Sequence, residues 1–469
     1  MQELNLAYHY PIIFWNTACL IVNAGADEQV EENKSTDYGK IATAISNIQS
    51  RGENIALPLI NSADFGFTPD EENNRIIYSL KAINGIGDDV VRILIENRPY
   101  VSMEDFYNRM IETKIIKTSQ MIQLIKAGCF TELHSPNREE TMDDFLGRYV
   151  VTPISKLTLS QFDRMMELDQ KYGFISDSVR LSIAHKYFKD YVLQDEFLFQ
   201  NRITPGKKIP KAGYHDRWFI LKEKTMMDFF IKYYTEDSIE AVDGENYVIS
   251  EKKFIKENNK HLEDLRQWLS DKSVVDMYNK YLLIEAKENY AKGTVAKWEM
   301  DSLSIYCTQE HELSGINKEA YGIVDYFKEP EKPQVYGSYQ RYIRQPDGTV
   351  VKKDFPKNKI VRIAGTVLDK NKDKHMITLL TPTGVVRVKF NKGQFAFYDR
   401  QISEVDEKGN KSIQEKSWFT RGNKVIICGC RSEDQFIAKK YADTVWKHTC
   451  NLVTDVHQDG TVDVIMERG

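Results

Sequence analysis

Apolar residues recur at helical spacing through much of the first part of the chain, and strand-like alternation takes over after about residue 357. Leu4, Ala7, Tyr8, Ile12, Trp15 and Cys19 trace one helical stripe, with Pro11 placed to kink or restart it. Gly25 to Thr36 is a polar loop, and Ile41, Ala44, Ile45 and Ile48 mark an amphipathic helix stopped by Gly52. Pro58 makes the segment IALPLI an edge strand or an exit from one. Leu80 and Ile83 then share a face before Gly85-Ile86-Gly87, and Val90, Val91, Leu94 and Ile95 form the apolar face of a helix after it. This pattern predicts a helix-hairpin-helix. Ser102 caps a short helix carrying Phe106 and Met110, and a further helix over 119–127 ends at Gly128.

Downstream, Ser160 and Asp163 open a helix whose Phe162, Met165, Met166 and Leu168 read as core rather than as a cofactor site. Residues 176–200 are predicted helical. Pro205 to Gly213 is a loop whose Lys207, Lys208 and Lys211 read as solvated surface. A hairpin turns at Asp243-Gly244-Glu245, and helices follow over 258–268 and 274–290. Residues 329–347, rich in Pro, Gly and Tyr, read as a linker. Alternation at Val361, Ile363, Gly365 and Val367, again over 376–380, at Val386, Val388 and Phe390, and over 425–430, fits a small five-stranded barrel. Cys428 and Cys430 share a strand face and read as small core fillers.

The hairpin and the barrel carry the candidate chemistry. Gly85 and Gly87 admit backbone angles closed to other residues, and the turn presents amides at a helix start, where an anion is favoured. Ile86 sits between them, with Arg92, Arg98, Lys114 and Lys117 as flanking cations. Such a contact positions a duplex by its phosphates and reads no base. Asp88 and Asp89 argue the other way, as caps that repel a phosphate. In the barrel, residues 357–400 hold ten cations against three aspartates and no glutamate, an excess of seven. Arg387, Lys389, Lys392, Phe395 and Tyr398 are the expected contacts to a single strand, by charge and by stacking. Phe390 and Phe397 read as core.

Composition changes this picture little. The chain has 469 residues, 28% charged and 41% hydrophobic, enough for about three domains of ordinary globular character. Its formal charge of -5 restricts any nucleic-acid surface to local patches. Six cysteines without CxxC spacing read as reduced residues of the cytoplasm, and no leader or membrane span is evident.

Several stretches together resemble the bacterial and phage replicative DNA polymerase III alpha subunit of the C family, in the form found among Gram-positive bacteria and their phages. They are LPLINSADFGF (Leu57–Phe67), IIYSLKAINGIGDDVV (Ile76–Val91), RPYVSMEDF (Arg98–Phe106) and LIKAGCF (Leu124–Phe130). Further on, WEMDSLSIYCTQEHEL (Trp298–Leu313), the run from Lys357 to Ile402 and KSWFTRGNKVIICGCRSEDQF (Lys416–Phe436) resemble that subunit's OB domain and its approach. LNLAYHYPIIFWNTACL (Leu4–Leu20) resembles its last fingers helix.

The resemblance implies a multidomain α+β chain, mostly helical and then β-barrel. Its segments are the end of the fingers (1–55), a tandem helix-hairpin-helix-like duplex-binding domain (56–150), a mostly helical connecting region (151–328), a linker (329–356) and an OB-fold domain (357–469). Phosphoryl transfer requires clustered carboxylates around magnesium, and the family carries these in a palm domain that has no counterpart here. The chain is therefore expected to bind no cofactor itself and to be inactive alone. It would hold duplex and single-stranded DNA for a palm on another chain that uses Mg2+, as the product of a split gene or a truncated frame. A sliding clamp is a further partner of the family, but Gln194–Phe199 lacks the expected order and no residue is assigned. A stand-alone DNA-binding accessory protein is the alternative.

Overall fold

In the computed structural model the described residues are 11–26, 36–158, 161–195, 218–222, 226–346, 348–405, 411–439, 449–457 and 459–466. Leu4, Tyr8, Ser160, the 207–211 lysines and residues 196–199 of the clamp-like stretch lie outside them. The chain forms two compact units, one of residues 1–145 with 290–469 and the other of Leu146–Asn289.

The first unit begins with helix Ile12–Ala24, which starts directly after Pro11, and helix Tyr38–Ser50, capped by the Asp37 carboxylate accepting from Lys40 N–H at 3.0 Å. Strands β1 (Asn54–Ala56), β2 (Thr68–Asp70) and β3 (Arg75–Ile77) form a small sheet of order β1-β3-β2, so the strand leading to Pro58 is indeed an edge. The stretch before Gly85 departs from expectation. Leu80 and Ile83 lie in a turn closed by Ile83 N–H to Leu80 C=O at 3.2 Å, and only the helix after the glycines, Asp88–Glu96, is regular. Strand β3 ends at Ile77 and Ser79 Oγ accepts from Ala82 N–H, which leaves a single turn before Gly85. Helices Met103–Phe106 and Thr118–Lys126 follow, the first capped by Ser102 as read. Helix Arg138–Phe145 completes the helical part.

In the second unit, helices Phe162–Tyr172, Asp177–Tyr187, Met227–Tyr233, Glu251–His261, Glu263–Ser270 and Lys272–Tyr290 accompany a four-stranded sheet. It is formed by β4 (Gln194–Asp195), β5 (Trp218–Lys222), β6 (Ile239–Asp243) and β7 (Asn246–Ser250), in the order β4-β5-β7-β6. The hairpin pairs Asp243 with Asn246 where the sequence placed it, and Met165 and Leu168 are core as read. The connecting region is thus less uniformly helical than expected. It also ends earlier, because residues 290–328 pack with the first unit.

Residues 329–356 are not a linker. Strands β8 (Val335–Arg344) and β9 (Val350–Asn358) pair antiparallel as a ribbon exposed along nearly its whole length, so no amphipathic pattern marked it. The barrel strands are β10 (Val361–Asn371), β11 (Met376–Thr381), β12 (Gly384–Lys389), and, after hairpin β13 (Ile402–Val405) and β14 (Lys411–Glu415), β15 (Lys424–Ser432) and β16 (Gln435–Ala438). The order β10-β11-β12-β16-β15 closes through a β10–β15 pairing, and β12 runs parallel to β16. Helix Lys392–Asp399 connects the third and fourth barrel strands. This closed five-stranded barrel is consistent with an OB fold. Ile363, Val367, Leu379, Val388 and Ile427 fill it. β17 (Cys450–Val456) and β18 (Val462–Ile465) extend the sheet from β15, and Ile426 and Val453 pack outside against Leu313 and Ile316. Cys428 and Cys430 are buried, as read. Among the described residues no helix is long and apolar enough to cross a membrane.

One polar device ties the helical segments together, and a second reaches the barrel. Glu299, fully buried in helix Val295–Leu303, accepts from Arg138 Nη2 at 2.7 Å and from Cys307 N–H at 2.6 Å. His311 donates from Nε2 to Leu380 C=O at 2.9 Å, and its Nδ1 accepts from Leu313 N–H at 3.0 Å, which fixes a neutral tautomer. Burial pushes its pKa down to about 4, against the opposing pull of Leu380 C=O and Glu312.

Removing the Glu299 carboxylate strands a buried guanidinium, so Glu299→Ala should cost about 3–5 kcal/mol in urea unfolding; a loss below about 1 kcal/mol would show that the pair does not hold the fold. His311 stays neutral in the folded chain while the unfolded chain takes up a proton below its ordinary pKa. Stability should therefore fall as pH drops from 6.5 toward 4, by up to about 1.4 kcal/mol per unit. His311→Asn should lose that dependence. Identical slopes for both proteins between pH 7 and pH 4.5 would assign it to other groups.

Candidate nucleic-acid interface

The glycine turn is held from behind. Asn84 N–H donates to Ser302 C=O at 2.8 Å, Asn84 Nδ2 donates to Asp301 C=O at 3.1 Å, and Tyr78 OH donates to Leu303 C=O at 2.7 Å. Ile86 is buried and anchors the turn, so its side chain is not a ligand contact. Gly85 has φ +82°, the left-handed region that suits glycine, whereas Gly87 is extended, with open space where a Cβ would stand. The first bond inside helix Asp88–Glu96 is Val91 N–H to Gly87 C=O, so the amides of Asp88, Asp89 and Val90 have no partner within the helix, whereas Ile86 N–H is spent on Ile83 C=O at 3.3 Å. Asp88 is ion-paired with Lys81, which offsets the repulsion that its charge would exert on a phosphate.

The flanking cations divide. Arg92 is exposed, its guanidinium 5.8 Å from the Phe65 ring centre, and Lys114 and Lys117 are exposed ahead of helix Thr118–Lys126. Arg98 is structural instead: Nε donates to Ile60 C=O at 2.7 Å, Nη2 donates to Ala63 C=O, and burial lowers its pKa. Arg109, paired with Asp105, is held the same way by the carbonyls of Asn97 and Pro99.

In the barrel, Phe395 and Tyr398 are core residues and not stacking platforms. They lie on helix Lys392–Asp399, capped by the Asn391 side chain accepting from Gln394 N–H at 2.8 Å, and their three-residue spacing turns both inward. Tyr398 stacks on Trp418 and its OH accepts from Cys450 N–H at 3.3 Å; burial pushes its pKa up to about 12. The Asn391 cap and that spacing were the signals for a helix. Phe390 is core as read, and Phe397 is partly buried against it. Arg387 is ion-paired with Asp434 and Lys389 donates to Lys374 C=O, while Lys392 is exposed.

A cleft of about 660 Å3 runs along the outer side of β11 and β12, with helix Tyr38–Ser50 as its other wall. Lys40, Thr43 and Asn47 face Thr378, Lys374 and Arg387 across it, together with Asp37, Asp369 and Asp434. The sequence carried no sign of this wall, because the helix and the barrel are some 330 residues apart. Among the described residues, the grouping able to hold a metal is Asp455, His457 and Asp463, all exposed. His457 pairs with Asp463, which raises its pKa. An imidazole with two exposed carboxylates is not the all-oxygen carboxylate cluster that a polymerase magnesium site requires.

A helix-hairpin-helix region joined to an OB-type barrel defines the class, and a helix-hairpin-helix motif model matches residues 52–141. The chain is 41% identical over 473 residues to a probable DNA polymerase, YorL, of Bacillus subtilis (strain 168), and equally to a DNA-directed DNA polymerase of Bacillus phage SPbeta. Each match covers 100% of this chain and 34% of the relative. A DNA polymerase III subunit alpha of Streptococcus pyogenes is 30% identical over 148 residues, 31% of this chain and 12% of that protein. The chain is thus a homologue of phage DNA polymerases and the DNA polymerase III alpha subunit, corresponding to the C-terminal part of such an enzyme. It spans about a third of the length of the first two relatives.

If the hairpin amides hold a phosphate, Gly85→Val with Gly87→Val should weaken duplex affinity roughly ten-fold whatever the sequence, since such contacts read no base. Fluorescence anisotropy with two unrelated duplexes measures this. A folded variant with unchanged affinity would remove the hairpin from the interface.

Proposed function

We propose that this chain is the DNA-holding part of a replicative polymerase of the DNA polymerase III alpha type. The hairpin, with the amides at Gly87 and the start of the following helix and with Arg92, Lys114 and Lys117, grips duplex phosphates behind the catalytic centre. The barrel engages the single-stranded template, with Lys389, Lys392 and the outer β11–β12 cleft, including Arg387, as its contacts. Template-directed synthesis is carried out by a palm on another chain, whose carboxylates hold Mg2+. The observation that carries this reading is the 41% identity to a phage DNA polymerase along the full length of this chain. A partner chain also accounts for the exposed apolar side chains on helix Ile12–Ala24. Ile12 is 49% and Trp15 42% exposed, an arrangement that suits burial against neighbouring fingers. The sliding clamp remains a partner class without assigned residues.

The test is primer extension with magnesium, four deoxynucleotides and a primed template. The purified chain alone should incorporate nothing. Mixing it with a polypeptide carrying the palm and remaining fingers should restore synthesis, and Ile12→Asp with Trp15→Asp should abolish that rescue while leaving oligonucleotide binding intact. Synthesis by the single chain, lost on mutation of one of its own carboxylates, would overturn the proposal. DNA binding without any rescue would favour a stand-alone accessory protein.

A further inference from the structure

The β8–β9 ribbon is a long two-stranded structure that, among the described residues, is exposed on both faces. Its strands have ten and nine residues, about 30 Å of ribbon, and Lys359 N–H closes its base on Gln334 C=O at 2.7 Å, two residues before the barrel begins at Val361. A two-stranded ribbon alone gains little stability in water, and this one exposes Tyr336, Tyr339, Tyr342, Ile343, Val350 and Val351.

The register sorts its side chains. Tyr339 pairs with Phe355, Arg341 with Lys353, Ile343 with Val351 and Gly337 with Lys357, so these residues share one face. Asp354 pairs with Gln340 on the opposite face. The first face therefore carries three cations and no acid, and none of those cations has an ion pair among the described residues. Arg341 and Lys353 stand directly across from each other, a like-charge pair that disfavours the ribbon unless an anion lies between them. Beside them, Tyr339 and Phe355 stack with ring centres 5.8 Å apart and planes at 27°, and the Arg341 guanidinium lies 5.8 Å from the Tyr339 ring centre.

We infer that this face of the ribbon binds single-stranded DNA, its bases stacking on Tyr339 and Phe355 and its phosphates lying along Arg341, Lys353 and Lys357. An aromatic platform between cations takes an unpaired base, whose π-face is open, whereas duplex bases are already stacked. The choice of DNA over RNA rests on the polymerase reading. The ribbon's root at β10 makes this surface an extension of the barrel and supplies the stacking residues that Phe395 and Tyr398, being buried, cannot.

The full chain should be titrated with a labelled oligodeoxythymidylate of about 20 nucleotides, longer than the site of one OB fold. Tyr339→Ala with Phe355→Ala should weaken binding roughly ten-fold or more while duplex affinity stays constant. Arg341→Gln with Lys353→Gln should lower the slope of log affinity against log salt by about 1.4, the release expected for two single-strand phosphates. In the unaltered chain, a bromodeoxyuridine oligonucleotide should photo-crosslink to the β8–β9 segment, a readout independent of any variant's folding. Wild-type binding with unchanged variant affinities, or crosslinks confined to other segments, would overturn the ribbon site and leave the proposed function standing. Failure of the wild-type chain to bind any DNA would overturn both.

Discussion

The buried pair of Arg138 and Glu299 is the constraint on which the first unit depends. Both side chains are withdrawn from water, and a carboxylate so placed is tolerable only when its lone pairs are filled. Here they are filled by Arg138, by the amides of Cys307, Thr308 and Gln309, and by Thr308 Oγ1 at 2.5 Å. Arg138 in turn donates to Lys126 C=O at 3.0 Å and lies across Gly128, where a Cβ would come within 2.9 Å of the guanidinium. Gly128, at φ +81°, therefore ends a helix and also makes room for the cation. Three separate stretches of chain meet at one charge, and each would leave an unpaired buried group if it moved.

That arrangement places helix Val295–Leu303 behind the hairpin, where its last carbonyls receive Asn84 and Tyr78. The same helix leads into Tyr306 and His311, whose bonds reach Thr366 on β10 and Leu380 on β11. The glycine turn and the barrel are thereby fixed to one element, with little freedom in the spacing between them. Lys424 adds a shielded link, pairing with Glu312 at 2.9 Å. Such preorganisation suits surfaces that must track one continuous ligand.

The legible parts of this architecture were those whose signal is local. Ser102 capping, the Gly128 stop, the alternation of β10 to β12 and the burial of Cys428 and Cys430 all follow from a few neighbouring residues. The illegible parts depend on distant partners. Nothing beside Arg98 announces the Ile60 and Ala63 carbonyls that absorb it, and nothing near Arg387 announces Asp434. The ribbon was missed for a different reason: exposed on both faces, it has no buried side to impose a period, and its Pro, Gly and Tyr content imitates a linker. Phe395 and Tyr398 were misplaced because the positive excess around them suggested a groove, although their spacing and the Asn391 cap already described a helix.

Charge pairing decides which surfaces can take an anion at least cost. In the cleft beside β12, Arg387 is engaged with Asp434, and the neighbouring Lys370 and Lys372 are drawn to Asp399. A phosphate entering there competes with a carboxylate already present, so part of its attraction is offset before any contact is made. At the glycine turn Asp88 is paired with Lys81, so of the two first-turn carboxylates the exposed Asp89 is the one left to oppose an anion drawn to the amides of the helix start. On the ribbon, Arg341 and Lys353 face each other without a carboxylate among the paired residues of their side. A phosphate there relieves repulsion instead of displacing a partner. A net charge of -5 is compatible with both sites, because what an anion meets is the balance within about a Debye length and not the sum over the chain.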